Sequence, residues 1–306
     1  MTHAPRTEST DGRSRGGRDG RGGRGGLPRA RAAALRHLLA LFAAREYEEA
    51  EAAARTLAAR RRHVWERGPE LRSPARVAAL AAATMQGRGK YALAELDSLE
   101  AEFRQSNRVD RTVLLLLRIC RTAALVGEEQ YAETESEASG ILREVTRLAH
   151  MVDVADAEFF ALTHLTRALC GQGRFEEAET IARGNLAGAA GEAAAIWRCL
   201  LMRCLNGQHR YEEALAESRQ LPPLGPAPPP SPVARSGERA LVTAAALYGA
   251  GRLHDAELIT RQGLSSSGQF PHPHHQVVRE LGELLCRITT DGSAPGDDPA
   301  QGGGSP

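Results

Sequence analysis

Four groups of side chains in this 306-residue sequence have the types that chemistry needs. Adjacent glutamates recur as Glu48-Glu49, Glu176-Glu177 and Glu212-Glu213. Paired carboxylates serve general acid–base catalysis when they converge. Neighbours on a helix point about 100° apart, so these pairs diverge and read as the acidic start of a helix. His272, His274 and His275 offer imidazoles for a metal. With two prolines among them and no acid or cysteine nearby, they read as a loop at a helix start. Five cysteines, at 120, 170, 199, 204 and 286, form no C-x-x-C pair. They read as buried thiols of a reducing compartment, and neither metal nor cofactor is expected. The fourth group is arginine: 38 of the 39 basic residues, with Lys90 the sole lysine. No phosphate-binding G-x-x-x-x-G-K-[ST] loop and no G-x-S-x-G nucleophile elbow is present, so no enzyme is expected.

The elements that must position these groups are helices. Alanine and leucine favour helix, and aromatics make up only 4% of the chain. A motif recurs: Arg45-Glu-Tyr47-Glu-Glu-Ala50, Gly89-Lys-Tyr91-Ala-Leu-Ala94, Glu129-Gln-Tyr131-Ala, Gly173-Arg-Phe175-Glu-Glu-Ala178, His209-Arg-Tyr211-Glu-Glu-Ala214 and Gly251-Arg-Leu253-His-Asp-Ala256. The mean spacing from Tyr47 to Leu253 is about 41 residues. Before Phe175, Leu162, Leu165, Thr166 and Leu169 share one helical face, and Ala178, Ile181 and Ala182 continue the spacing after it. The unit is therefore helix, tight turn, helix.

Glycine at 89, 173 and 251 ends a helix in the left-handed conformation without a Cβ clash. Tyr47, Tyr91, Tyr131, Phe175, Tyr211 and Leu253 are expected to wedge between paired helices. Ala50, Ala94, Ala178, Ala214 and Ala256 are expected where two backbones nearly touch. Thr134 stands where alanine is expected, and the turn at 127–130 reads as two residues longer than the others. Ser73-Pro74 and His272-Pro273 mark starts of first helices. A last helix over 276–288, with Val278, Leu281, Gly282 and Leu285 in register, reads as a cap over the final unit.

Six such motifs resemble the tetratricopeptide repeat family, in the long-period variety of kinesin light chains and many bacterial regulators. The resemblance covers about residues 29–290. It implies an all-α, right-handed solenoid of about six hairpins plus the capping helix. It further implies a concave groove, lined by first helices, that takes a peptide or partner helix. Arg167 and Arg203 each lie eight residues before their motif aromatic. Arg121 lies ten before Tyr131 and takes the same place if that turn is two residues longer. The three are expected to bind an acidic partner through guanidinium–carboxylate pairs. Asn206, one turn beyond Arg203, is expected to bond a peptide backbone. The competing reading pairs these arginines with helix glutamates such as Glu135 or Glu217, or leaves them in solvent.

Charge and composition set the remaining expectations. Formal charge is +1, which excludes a strongly basic nucleic-acid coat and an acidic solvating tail. Arginine is concentrated before residue 32, and residues 1–28 are expected to be a disordered arginine–glycine tail. Residues 12–26 carry three Arg-Gly-Gly triplets, which can contact RNA phosphates and stack on bases, or else reflect the compositional drift of a high-GC genome. A proline-rich insertion at 222–232 and a polar tail at 291–306 complete the organisation. The apolar run Val113–Leu117 is far shorter than the roughly 20 residues that span a bilayer. The stretch at 32–44 is broken by Arg36 and His37 and does not read as a signal peptide. The expectation is a cytoplasmic bacterial adaptor that binds protein. The alternatives are an RNA-associated protein using the tail, and a structural oligomerisation module.

Overall fold

The computed structural model describes residues 26–44, 46–59, 72–105, 111–148, 155–221, 236–268 and 275–292. The expectations for residues 1–25, for the insertion at 222–232, for His272 and His274 and for 293–306 lie outside them. Among the described residues there are thirteen helices and no strand. In chain order these are α1 (Gly26–Ala44), α2 (Tyr47–Ala59), α3 (Arg72–Met85), α4 (Gly89–Gln105), α5 (Arg111–Gly127), α6 (Tyr131–Leu148) and α7 (Ala155–Gly171). They continue as α8 (Phe175–Leu186), α9 (Gly191–Gly207), α10 (Tyr211–Ser218), α11 (Ser236–Gly249), α12 (Leu253–Gly268) and α13 (His275–Gly292). The first helix begins at Gly26, inside the segment expected as tail.

Six turns join the helices into hairpins, and all six are built alike. The amides of Glu46, Arg88, Gln130, Arg174, Arg210 and Arg252 each donate to a carbonyl five residues earlier. This is the bond that closes a helix through a left-handed residue. Gly87, Gly173 and Gly251 occupy that residue with φ of 77°, 77° and 76°. Glu129 and His209 occupy it in the other two described cases, at 59° and 61°. The carbonyl of the residue after it then accepts from Ala50, Ala92, Thr134, Ala178, Ala214 and Ala256, the first bond of each second helix.

That register corrects the sequence reading at two hairpins. In the second, the wedge position belongs to Gly89 and the small position to Ala92, which is fully buried. Tyr91 and Ala94 both face outward. The sequence drew attention to the tyrosine, but the turn is made by Gly87 two residues before Gly89. In the third hairpin the turn has the ordinary length, and Thr134 fills the alanine position, donating to the Gln130 carbonyl at 2.7 Å. The β-branched hydroxyl is tolerated because that bond satisfies it.

Packing follows chain order. Each second helix from α4 to α12 packs on its own first helix and on the next one, as does α2 on α1 and α3. The first helices α3, α5, α7, α9, α11 and α13 pack successively on one another and form an inner layer. Ala50, Ala178, Ala214 and Ala256 are fully buried in the seams. The largest cluster is centred on α9, whose Trp197, Leu200, Leu201, Met202 and Leu205 are enclosed. The last helix buries Val277, Leu281, Leu284 and Ile288, at i, i+4, i+7 and i+11, against it. The expected register through Val278, Gly282 and Leu285 is thus rotated by one position around a shared Leu281.

Candidate functional site

The motif residues hold neighbouring hairpins together in two ways. The first is a polar clamp. The carboxylate four residues after the wedge position accepts from the next hairpin's turn. Gln86 and Arg88 bond Glu51, Gln172 and Arg174 bond Glu135, and Gln208 and Arg210 bond Glu179. Burial alone would raise the Glu51 and Glu179 carboxyls, but hydrogen bonds from Arg55 and Gln86 with the Arg88 charge at Glu51, and from Gln208, Arg183 and Arg210 at Glu179, outweigh it and hold both below the usual carboxylate range. The bonds from Gln172 and Arg174 likewise lower Glu135. Arg174 and Arg210 also hold Glu177 and Glu213 of their own second helices. The pairs Glu176-Glu177 and Glu212-Glu213 therefore act as structural acids at a helix start, with one member of each engaged by arginine.

The second device is a ring laid on a glycine. A Cβ at Gly171 would lie 2.5 Å from the Tyr131 ring, one at Gly207 2.3 Å from Phe175, and one at Gly249 2.2 Å from Tyr211. Each glycine lies four residues before the next wedge position, so each aromatic seats on the following hairpin. At the first junction Tyr47 packs in one cluster with Met85, which holds the equivalent place. Between the second and third hairpins the ring is missing. Gly89 sits at the wedge position, Gly127 at the seat, and a Cβ on Gly127 would meet nothing within 4 Å.

The inner layer places the expected groove arginines as follows. Arg167 of α7 pairs with Glu238 of α11 at 2.5 Å, and Arg203 of α9 pairs with Glu280 of α13 at 3.0 Å. Burial disfavours the Arg203 cation, but the Glu280 and Glu238 charges overcome that and raise its pKa. Arg121 does not share their position, because the third turn is not longer. It lies two residues, about 200°, around α5 and pairs with Asp97 and Glu100 of α4. The equivalent residue is Ala123, on the inner wall. Asn206 donates to the Val242 carbonyl at 2.8 Å, tying α9 to α11, and its Oδ1 is buried without a partner. Arg279 of α13 reaches Glu129 at the α5–α6 turn. The inner layer therefore curves enough for first helices two hairpins apart to form ion pairs.

Inside that curve lies a cavity of about 390 Å3. Its apolar wall includes Met85, Val126, Phe159, Phe160, Ile196 and Val277, and Gly89 and Gly127 open onto it. Phe160 is 44% exposed, unusual for a large apolar side chain on an inner face. His164 adds a polar group. The Thr122 hydroxyl donates its only hydrogen to the Ile119 carbonyl at 2.8 Å, so the 2.7 Å contact with His164 must be donated by imidazole Nδ1. Desolvation, then the Arg167 charge, pushes the His164 pKa down to about 3, so the ring is neutral with Nε2 left as an acceptor. Glu128 extends over Gly89. Gln276 also lines the cavity, with Oε1 buried and unpartnered.

Four cysteines are buried and Cys286 is exposed. Cys170 and Cys204 share a hydrogen bond at 3.4 Å in the α7–α9 seam, and burial pushes Cys120 up to about 12. Among the described residues no group of three or more His, Cys, Asp and Glu is placed to hold a metal, and no helix is long and apolar enough to cross a membrane. No protein-family model, curated protein or solved structure matches the chain.

Sequence reasoning missed both the clamp and the cavity. The clamp had a signal: Gln86-x-Arg88, Gln172-x-Arg174 and Gln208-x-Arg210, each facing a glutamate of the preceding hairpin. The cavity had one too, in the glycines at 89 and 127, but only once the turn register is known.

Proposed function

We propose that this chain is a solenoid of tetratricopeptide type that works as a protein-binding scaffold or adaptor in the cytoplasm, taking a partner segment on the face lined by its first helices. The observation that carries this reading is the inner cavity, where Phe160 stands exposed on an apolar wall while three of the junctions between hairpins are closed by a ring on a glycine. Buried ion pairs already engage Arg167 and Arg203, so the partner's affinity comes from apolar anchoring rather than from those two cations. Binding rather than catalysis is favoured because, among the described residues that line the cavity, no nucleophile, base and orienting group converge.

A second reading, binding of a polyanion such as RNA, is favoured by one cleft. Arg111, Arg143 and Arg147 line it beside Arg118. Arg118 is held by Glu137 and Glu144, whereas the other three are exposed and have no carboxylate partner among the described residues.

The test is capture of the partner from a native bacterial extract, followed by quantitative binding to Phe160→Asp and Leu258→Asp proteins. Leu258 is an exposed apolar residue on the second helix α12 and serves as control. The scaffold reading expects the Phe160 variant alone to lose the partner. Equal binding by all three proteins would contradict it, and binding that needs Arg143 and Arg147 and collapses with salt would favour the polyanion.

A further inference from the structure

The junction between the second and third hairpins lacks the ring that closes its counterparts. At three junctions an aromatic at the wedge position lies on a glycine of the next hairpin: Tyr131 on Gly171, Phe175 on Gly207, Tyr211 on Gly249. Here both positions are glycine, the seat at Gly127 is open, and both glycines border the inner cavity. The fold thus repeats a ring on a glycine three times and here leaves the seat at Gly127 open, with the Glu128 side chain lying over Gly89.

The surroundings of the empty slot select what can enter. The two cations on the cavity wall are engaged, Arg167 by Glu238 and Arg279 by Glu129. The hydroxyls of Thr84 and Thr163 donate to the Leu80 and Phe160 carbonyls. Among the described residues, by contrast, no hydrogen bond or ion pair engages the Glu128 carboxylate, and Gln276 Oε1 is buried without a partner. The wall therefore offers acceptors and one uncompensated negative charge. Its complement is a planar apolar group that carries a hydrogen-bond donor, next to a cation.

We propose that the Gly89–Gly127 slot binds a tyrosine side chain from a basic segment of a partner protein, its ring seated on Gly127 as the chain's own rings seat on Gly171, Gly207 and Gly249. The hydroxyl or the neighbouring cation satisfies Glu128. This assignment rests on the scaffold reading above and names its occupant. It also turns the expected partner from acidic to basic, because the cations are used within the fold.

The experiment uses the full chain and three capped peptides, Ac-Ala-Tyr-Arg-NH2, Ac-Ala-Leu-Arg-NH2 and Ac-Ala-Tyr-Glu-NH2, followed by saturation-transfer NMR. The slot predicts transfer to the tyrosine ring of the first peptide, weaker transfer to the third and none to the leucine peptide. Gly89→Tyr should fill the slot from within. The three atoms nearest to a Cβ there all belong to the flexible Glu128 side chain, which must swing aside. This variant should lose the ring signal by about tenfold or more, as when an anchor pocket is blocked. It should also melt about 2–4 °C higher, because a missing packing element is restored. Glu128→Gln should keep the ring signal and lose the preference for Arg over Glu beside it. Equal signal from parent and Gly89→Tyr, no signal from any peptide, or a lower melting temperature in Gly89→Tyr would overturn the slot. If the slot fails while Phe160→Asp still loses the captured partner, only the occupant is wrong. If Phe160→Asp retains the partner, the scaffold reading itself falls.

Discussion

Replacing Glu179 by alanine tests the clamp that joins the fourth and fifth hairpins. The Glu179 side chain is 12% exposed. It accepts from Gln208 Nε2 at 2.7 Å, from Arg210 Nη1 at 2.8 Å and 3.0 Å, and from Arg183 Nε at 2.7 Å. Arg183 and Arg210 are half and one-third exposed, so water can replace the lost carboxylate for both. The uncompensated loss therefore falls on Gln208 and on the contacts of the buried carboxylate itself. Removing one partner of a buried hydrogen bond costs about 1–3 kcal/mol, whereas an exposed ion pair contributes about 0–1 kcal/mol. A value near ~2 kcal/mol lowers Tm by about 4–8 °C for an ordered body of this size. Glu213→Ala is the comparison, since Glu213 contacts the same Arg210 from an exposed position and should leave Tm close to the parent. Thermal melting of parent, Glu179→Ala and Glu213→Ala by circular dichroism makes the measurement. Indistinguishable melting of the two variants would refute the clamp. The repeat-like organisation adds a second signature, because loss at a central junction should broaden the transition as the two halves uncouple.

The ring-on-glycine contact predicts that Gly207→Ala destabilises by about 1–3 kcal/mol through collision with Phe175, and that adding Phe175→Ala makes the glycine substitution nearly neutral in a double-mutant cycle of melting temperatures. Ala178→Leu and Ala214→Leu should each cost about 1–3 kcal/mol or more, read by urea denaturation, because both alanines are fully buried between helices. His164 binds a proton less readily when folded than when unfolded, so its contribution is complete above pH 6.5 and is lost as pH falls toward about 3. That loss reaches about 2 kcal/mol by pH 5, and melting of His164→Gln should depend less steeply on pH in that window. Arg203→Glu should lower Tm as well as any binding, because it would place a third acid beside Glu280 and Glu238.

The helix–turn–helix plan was legible because each motif combines a left-handed residue, a wedge and a small residue at fixed offsets, and each of those has a local physical cause. Legibility failed where one offset had two solutions. Gly87 and Gly89 can each end a helix, and the adjacent Tyr91 made the wrong one attractive. Only the bond from the Arg88 amide to the Ala83 carbonyl decides between them. A separate two-residue slip, from reading the turn before Tyr131 as longer than it is, carried Arg121 to the wrong face of α5. The ion pairs Arg167–Glu238 and Arg203–Glu280 were beyond reach for another reason. Each joins residues more than 70 positions apart, through a curvature of the inner layer that no local pattern encodes. The register of α13 slipped because two apolar faces share Leu281, and the packing of α11 and α12 against it chooses between them.

Hydrogen–deuterium exchange of the full chain, with and without its captured partner, tests most directly whether the inner face is the binding surface. The account predicts added protection in α5, α7 and α13, which line the cavity, and unchanged exchange in the second helices α6, α8 and α12. Protection confined to those second helices, with α5, α7 and α13 exchanging as in the free protein, would contradict it.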